Sequence, residues 1–142
     1  MAEMLLRDAM SKALREALEA DDRCLLMGED IGAYGGAYAV TRGFLEKYGE
    51  ERVRDTPISE SVFVGAGVGS AMIGMRPIVE VMTINFTLVA MDQIINHAAK
   101  LSYMSNGQFT VPLIIRTVTG GGGPLAATHS QSFENWYASV PG

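Results

Sequence analysis

Few residue types in this chain could do chemistry, and their neighbours narrow the options. Glu60 stands in "TPISES", just after Thr56, Pro57 and Ser59, three residues suited to opening a helix. A carboxylate there can serve as an acid or base, or it can only favour the helix dipole. His129 lies in "THSQS", beside Ser130 and Ser132. A Ser–His hydrolase pairing is unsupported, because no nucleophile elbow surrounds either serine. Glu29 follows Gly28 in "GEDIG", where a solvated loop-end carboxylate is the plain reading. Phe86 ends "TINF", where an ordinary core ring is the plain reading. Cys24, the single cysteine, sits in the apolar run "RCLLMG", which suits an inert buried thiol in a reducing compartment. With two histidines and no Cys/His cluster, a transition-metal site is not expected. The four glycines from Gly120 lack the Lys-Ser/Thr of a phosphate loop.

"SVFVGAGVGSAMIG" carries the main ambiguity. Gly65-x-Gly67-x-x-Ser70 nearly matches a dinucleotide fingerprint, with "SVFV" as the strand and Glu80 as the ribose acid. Against that, Ser replaces the third small residue, Arg76-Pro77 leaves too short a crossover helix, and Glu80 comes early, within its strand. A helix from Ser59 to Gly74 explains more. Gly65 and Gly69 then share one face on which another backbone can approach closely, either within the fold or from a partner. Each glycine costs a helix roughly 1 kcal/mol against Ala, so such a face implies tight packing.

The elements that must hold these residues alternate. "EMLLRDAMSKALREALEADD" has a helical stripe of Leu5, Leu6, Ala9, Met10, Ala13, Leu14, Ala17 and Leu18, with Asp8 and Lys12 spaced to pair outside. "RCLLMGED", "RVRDTP", "RPIVEVM" and "VPLIIRTV" read as strands, the last with Pro112 near its start. "TRGFLEKYG" and "FENWYASV" read as short helices. "LVAMDQIINHAAKLSYM" reads as one long helix with Leu88, Met91, Ile95 and Ala98 inward and His97 on the polar side. "IGAYGGAYAV" and "TGGGGPLAATHSQS" read as loops, the second mobile near the site. The expected fold is α/β, a mainly parallel sheet with helices on both faces. Across 142 residues, 48% are apolar and 19% charged, enough for a packed core. The net charge of −5 disfavours nucleic acid. Neither a secretory leader nor a membrane-length apolar run is present. The chain stops at "SVPG", where a further strand is expected, so it reads as an incomplete domain.

The ordered set "GEDIGAYGGAYAVTRGF", "RVRDTPISES", "GMRPIVEVMTINF", "MDQIINHAAKLSYMSNGQF", "VPLIIRT" and "THSQSFENWYASVPG" resembles the β subunits of the thiamine-diphosphate-dependent first component of 2-oxo acid dehydrogenase complexes. "VMTINF" and "YMSNGQ" are similar to the pyruvate dehydrogenase branch. The resemblance covers nearly the whole chain and corresponds to the amino-terminal pyrimidine-binding domain, without its last strands or the carboxy-terminal domain. It implies that Glu60 hydrogen-bonds a ring nitrogen of the aminopyrimidine, so that the neighbouring amino group can take a proton from the thiazolium carbon. It implies that Phe86 packs on the pyrimidine and that His129 assists acyl transfer to a lipoyl arm. It implies that Glu29 belongs to the acidic surroundings of the cofactor, and that the carbonyl of Leu113 contributes to a potassium site. Family members hold the diphosphate through magnesium at a Gly-Asp-Gly motif, which is missing here. An α subunit must then supply that half in an α₂β₂ assembly that takes a 2-oxo acid and feeds a lipoyl acyltransferase core, in bacterial cytoplasm or in the mitochondrial matrix. Acetoin and branched-chain dehydrogenases, other transketolase-like enzymes and a non-catalytic assembly domain are the competing readings.

Overall fold

A computed structural model describes residues 3–120 and 125–142. In chain order the elements are α1 (Leu6–Ala20), β1 (Cys24–Gly28), α2 (Phe44–Tyr48), β2 (Val53–Asp55), α3 (Glu60–Met72), β3 (Arg76–Glu80), a 3₁₀ turn (Ile84–Leu88), a π-helical segment (Gln93–Ala98), α4 (Leu101–Met104), β4 (Ile114–Arg116) and α5 (Glu134–Ala138). The four strands form one sheet in the order β2-β1-β3-β4, parallel at every pairing. From β1 the chain steps outward to β2, then returns over β1 to β3. In open parallel sheets ligands bind beyond the carboxyl ends of the two strands at such a reversal, here β1 and β3.

Strand alternation divides the core in two. Cys24, Leu26 and Ile78 face one side, where Leu14 and Leu18 of α1 and Phe44 of α2 bury against them. Leu25, Met27 and Val79 face the other, against Phe63 and Val64 of α3. All five residues of β1 are buried, as a central strand covered on both faces requires. The expected α/β architecture is therefore what forms.

Several local expectations need correction. On α1, Asp8 pairs with Arg7 and Lys12 lies 3.7 Å from Glu16, so the proposed Asp8–Lys12 pair does not form; Leu5 and Leu6 stay exposed. Ser59 occupies the N-cap of α3 without a side-chain cap bond. β3 ends at Glu80 rather than running past it. The predicted long helix after Leu88 is broken. Leu88 belongs to the preceding 3₁₀ turn and is exposed, while the π segment adds a residue to its turn. Ile94, one α turn after the buried Ala90 and bonded through its N–H to Ala90 O, packs on the second core in place of the expected Ile95; the widened turn follows it, from Ile94 O to Ala99 N–H. The mobile loop expected over "TGGGGPLAA" falls largely on 121–124, outside the described residues.

The helical reading of the glycine stretch holds, since 60–72 is one α-helix and no strand precedes Gly65. The close approach, however, is at Gly67. A Cβ there would stand 2.6 Å from Val79 Cγ2 and 3.2 Å from Leu113 Cδ1, so this glycine sets how deeply α3 sits on the sheet. A Cβ on Gly65 would stand 3.0 Å from Gln93 Oε1, whereas one on Gly69 would meet nothing within this chain.

Candidate functional site

The carboxyl ends of β1 and β3 carry three buried acids: Glu29, Glu60 and Glu80, each 7% exposed. Glu29 leaves β1 directly after Gly28. No side chain would fit at residue 28, because a Cβ there would meet the Glu80 carbonyl oxygen at 2.5 Å. The chain after Glu29 is fixed from β2: Gly32 and Ala33 donate their N–H groups to the Asp55 carboxylate at 2.6 and 3.2 Å. Five residues beyond Asp55, Glu60 opens α3. The turn between these elements brings Glu29 against Glu60. Burial first, and then the negative charge of the nearby Glu60, raise Glu29 to about 7. Desolvation and the neighbouring charge both favour the neutral form of Glu29, so it holds its proton well above the ordinary carboxylate range. One oxygen of Glu29, Oε1, is buried with no hydrogen-bond partner.

Glu80 has different company. It pairs with Arg116 from the neighbouring strand β4, both side chains being almost covered. Burial still raises the Glu80 carboxyl, and Arg116 pulls it back down.

Beyond β3, Val81 N–H donates to Arg116 O at 3.0 Å and Ile84 N–H donates to Val118 O at 2.8 Å, which carries the β3–β4 register into the 3₁₀ turn. Phe86, half-buried on that turn, meets the imidazole of His129 edge-on, with centroids 5.2 Å apart and planes at 89°. The Thr128 hydroxyl lies 2.8 Å from His129 Nδ1.

The structure thus joins four of the five sequence candidates into two couples, Glu29 with Glu60 and Phe86 with His129. Leu113 belongs to neither; its side chain packs on the second core and its N–H bonds to Val111 O. Sequence reasoning missed the Glu80–Arg116 pair and the polar contacts of Asn85 and Thr87. An acid and an arginine 36 positions apart carry no local signal of pairing. Among the described residues no group of three or more His, Cys, Asp or Glu side chains could hold a metal ion.

A parallel α/β sheet with a dry carboxyl pair at its switch point defines a small-molecule or cofactor-binding domain. The family described as "Transketolase, pyrimidine binding domain" matches residues 2–142, and the chain belongs to it. Its relatives include pyruvate dehydrogenase E1 component subunit beta-1, mitochondrial, of Arabidopsis thaliana, 53% identical over 140 residues, which are 99% of this chain and 39% of that protein. The mitochondrial E1 beta subunit of Caenorhabditis elegans is 50% identical, covering 98% of this chain and 40% of that protein. The E1 beta subunit of Rhizobium meliloti is 49% identical, covering 100% of this chain and 31% of that protein. The chain thus spans about two fifths or less of the length of these relatives. A solved "Split gene transketolase, inactive beta4 tetramer" shares the fold, with a TM-score of 0.68 at 20% identity over 95% of this chain and 40% of that one.

Proposed function

We propose that this segment forms the aminopyrimidine-binding half of a thiamine diphosphate site in the β subunit of a 2-oxo acid dehydrogenase first component, with pyruvate as the substrate. The carrying observation is the buried Glu29–Glu60 couple at the carboxyl edge of the sheet. A nitrogen heterocycle fits it: Glu29 Oε1 has no partner, and the couple retains a proton near neutrality that a ring nitrogen could share. Bound there, thiamine diphosphate would supply the electron sink on which a 2-oxo acid loses carbon dioxide.

The work of this chain is to place charge and protons. Glu60 is the carboxyl that meets the ring nitrogen. Glu29 shares its proton with Glu60 and so governs the charge available there. Phe86 offers an apolar ring to a planar partner. His129, exposed on its loop, is placed to give or take a proton as an acyl group leaves for a lipoyl arm. An α subunit delivers magnesium and the diphosphate, in an α₂β₂ assembly serving a lipoyl acyltransferase core; the relatives' names, each a beta subunit of an E1 component, support this. A potassium ion at the Leu113 carbonyl belongs to the same proposal. The names of the relatives support pyruvate over acetoin or branched-chain substrates, and support a mitochondrial matrix or bacterial cytoplasmic setting.

Titration of thiamine diphosphate and magnesium into the full-length β protein, alone and assembled with its α partner, tests this. Saturable binding should require both chains. Tight binding by β alone, or nicotinamide binding by the assembly, would overturn the reading.

A further inference from the structure

We infer that Asn85 is the positioning residue for His129. The inference rests on the reading of His129 as the histidine of the site, and it identifies what holds that imidazole in place.

His129 is exposed, and the loop that bears it has little packing of its own. Residues 125–129 are all exposed. The edge contact with Phe86 is a weak hold on a side chain that water can reach from other sides. The firm attachment comes two residues later. Gln131 donates both its main-chain N–H and its side-chain Nε2 to Asn85 Oδ1, at 3.2 and 3.1 Å. Gln131 O accepts from Gly120 N–H at 3.1 Å, so the two ends of the 120–131 loop meet at this one residue.

Asn85 can bear that attachment because it is itself immobilised. It is 6% exposed, and its Nδ2 donates to Thr83 Oγ1 at 2.9 Å. Its amide is therefore used at both ends: the NH₂ turns inward to a buried hydroxyl and the oxygen outward to two donors on the loop. An aspartate would keep the acceptor and lose the inward donor; a leucine would keep the shape and lose both. The next alternate residue, Thr87, is buried and receives the hydroxyl of Tyr137 from α5, so the same turn anchors the loop's far side. Between those two anchors the turn presents Phe86 to His129. Asn85 and Gln131 lie 46 positions apart, and this bond pair joins the loop directly to the turn that carries Phe86.

The test uses the full-length protein assembled with its partner chain. Asn85→Leu should raise amide hydrogen exchange across 126–132 by on the order of tenfold or more, because the loop loses its fastening. It should shift or broaden the His129 imidazole resonance, assigned by its loss in His129→Gln. Acyl transfer to lipoamide should slow while hydrogen–deuterium exchange at the thiazolium carbon stays near wild type, since Glu60 is untouched. Gln131→Met, which removes one donor and leaves the main-chain bond, should move the same readouts less. Asn85→Asp should recover part of the loss. If Asn85→Leu fails to assemble, Gln131→Met carries the test. An unmoved His129 resonance and unmoved exchange in both Asn85→Leu and Gln131→Met would overturn the inference. So would an equal fall in every kinetic step with no recovery in Asn85→Asp, the mark of a purely structural residue. If His129→Gln leaves acyl transfer intact while Asn85→Leu still moves the His129 resonance, the reading of His129 is wrong and the positioning role stands.

Discussion

Glu29 and Glu80 are buried to the same extent, leave adjacent strands and sit near the same edge of the sheet, yet their neighbours make them opposites. Glu80 meets Arg116, so its desolvation is offset by a fixed cation. Glu29 meets another carboxyl, so desolvation and repulsion add, and its carboxyl rises to about 7. A buried acid with a counter-ion is a strut between strands. A buried acid facing a second acid, with one oxygen unpartnered, is poorly arranged for stability and well arranged to hold a proton. Function is read where the fold tolerates an avoidable penalty.

The largest expected effect separates the two roles directly. Glu60→Gln keeps the shape of the couple but cannot share a carboxyl proton with a ring nitrogen. Turnover and thiazolium-carbon exchange in the assembled enzyme should fall by on the order of 10²–10⁴-fold. Stability to melting should not fall by more than about 1 kcal/mol above neutral pH, because the lost helix-dipole contribution of about 0.3–1 kcal/mol is offset by relief of the repulsion with Glu29. Wild-type exchange at confirmed cofactor occupancy would reduce Glu60 to a cap.

Arg116→Met should do the reverse. It strands Glu80 as an uncompensated buried charge, at a cost of about 3–5 kcal/mol in chemical denaturation. The loss should shrink as pH falls and Glu80 takes up a proton, and the double variant with Glu80→Gln should recover much of it. A variant as stable as wild type at pH 8 would abolish the contrast between the two acids.

Glu29→Gln sharpens the comparison through pH. The folded-state value of about 7 lies above the ordinary 4.5, so the folded protein binds the extra proton between those values. Stability therefore declines as pH rises through that window and stays reduced above it. Gln does not titrate. The variant should be more stable than wild type by roughly 1–3 kcal/mol at pH 8, with the gain vanishing below about pH 4.5. A pH-independent difference would mean that Glu29 is already charged in the fold.

The smallest effects test the helix that brings Glu60 to Glu29. Gly67→Ala forces a methyl into Val79 and should cost a net 1 kcal/mol or so while shifting the couple. Gly69→Ala meets nothing in this chain and should gain up to about 1 kcal/mol from helix propensity in the isolated protein. Loss of assembly in Gly69→Ala, with a stable monomer, would make that open face a partner contact.

Much of this arrangement was legible in the order of residues. Strand-like runs separated by helical stretches point to a parallel α/β sheet, whose central strands β1 and β3 must be covered on both faces. Thr56, Pro57 and Ser59 mark the start of α3, and the lack of proline from Ser59 to Gly74 favours helix over phosphate loop. Glu60, Glu29, Phe86 and His129 are singled out by the resemblance of the motifs that carry them, since by type and neighbours alone each also has a plain structural reading. Their company is not legible in the sequence. Glu29 could be a solvated loop end until the reversal between β1 and β3 sets it against Glu60. Gly65 and Gly69 satisfy the spacing rule, yet Gly67 is the one pressed on the sheet, since the packed face of a helix is chosen by what lies across from it. The choice of Ile94 over Ile95 has no signature in the helical repeat, because the register is set at Ala90 by the 3₁₀ turn that precedes it. Sequence determines local periodicity and chain-adjacent chemistry, which are short-range. The partners of Glu80, Asn85 and Glu29 come from 31–46 residues away, and only the folded chain, by excluding water from their meeting places, decides which acid becomes a strut and which retains a proton.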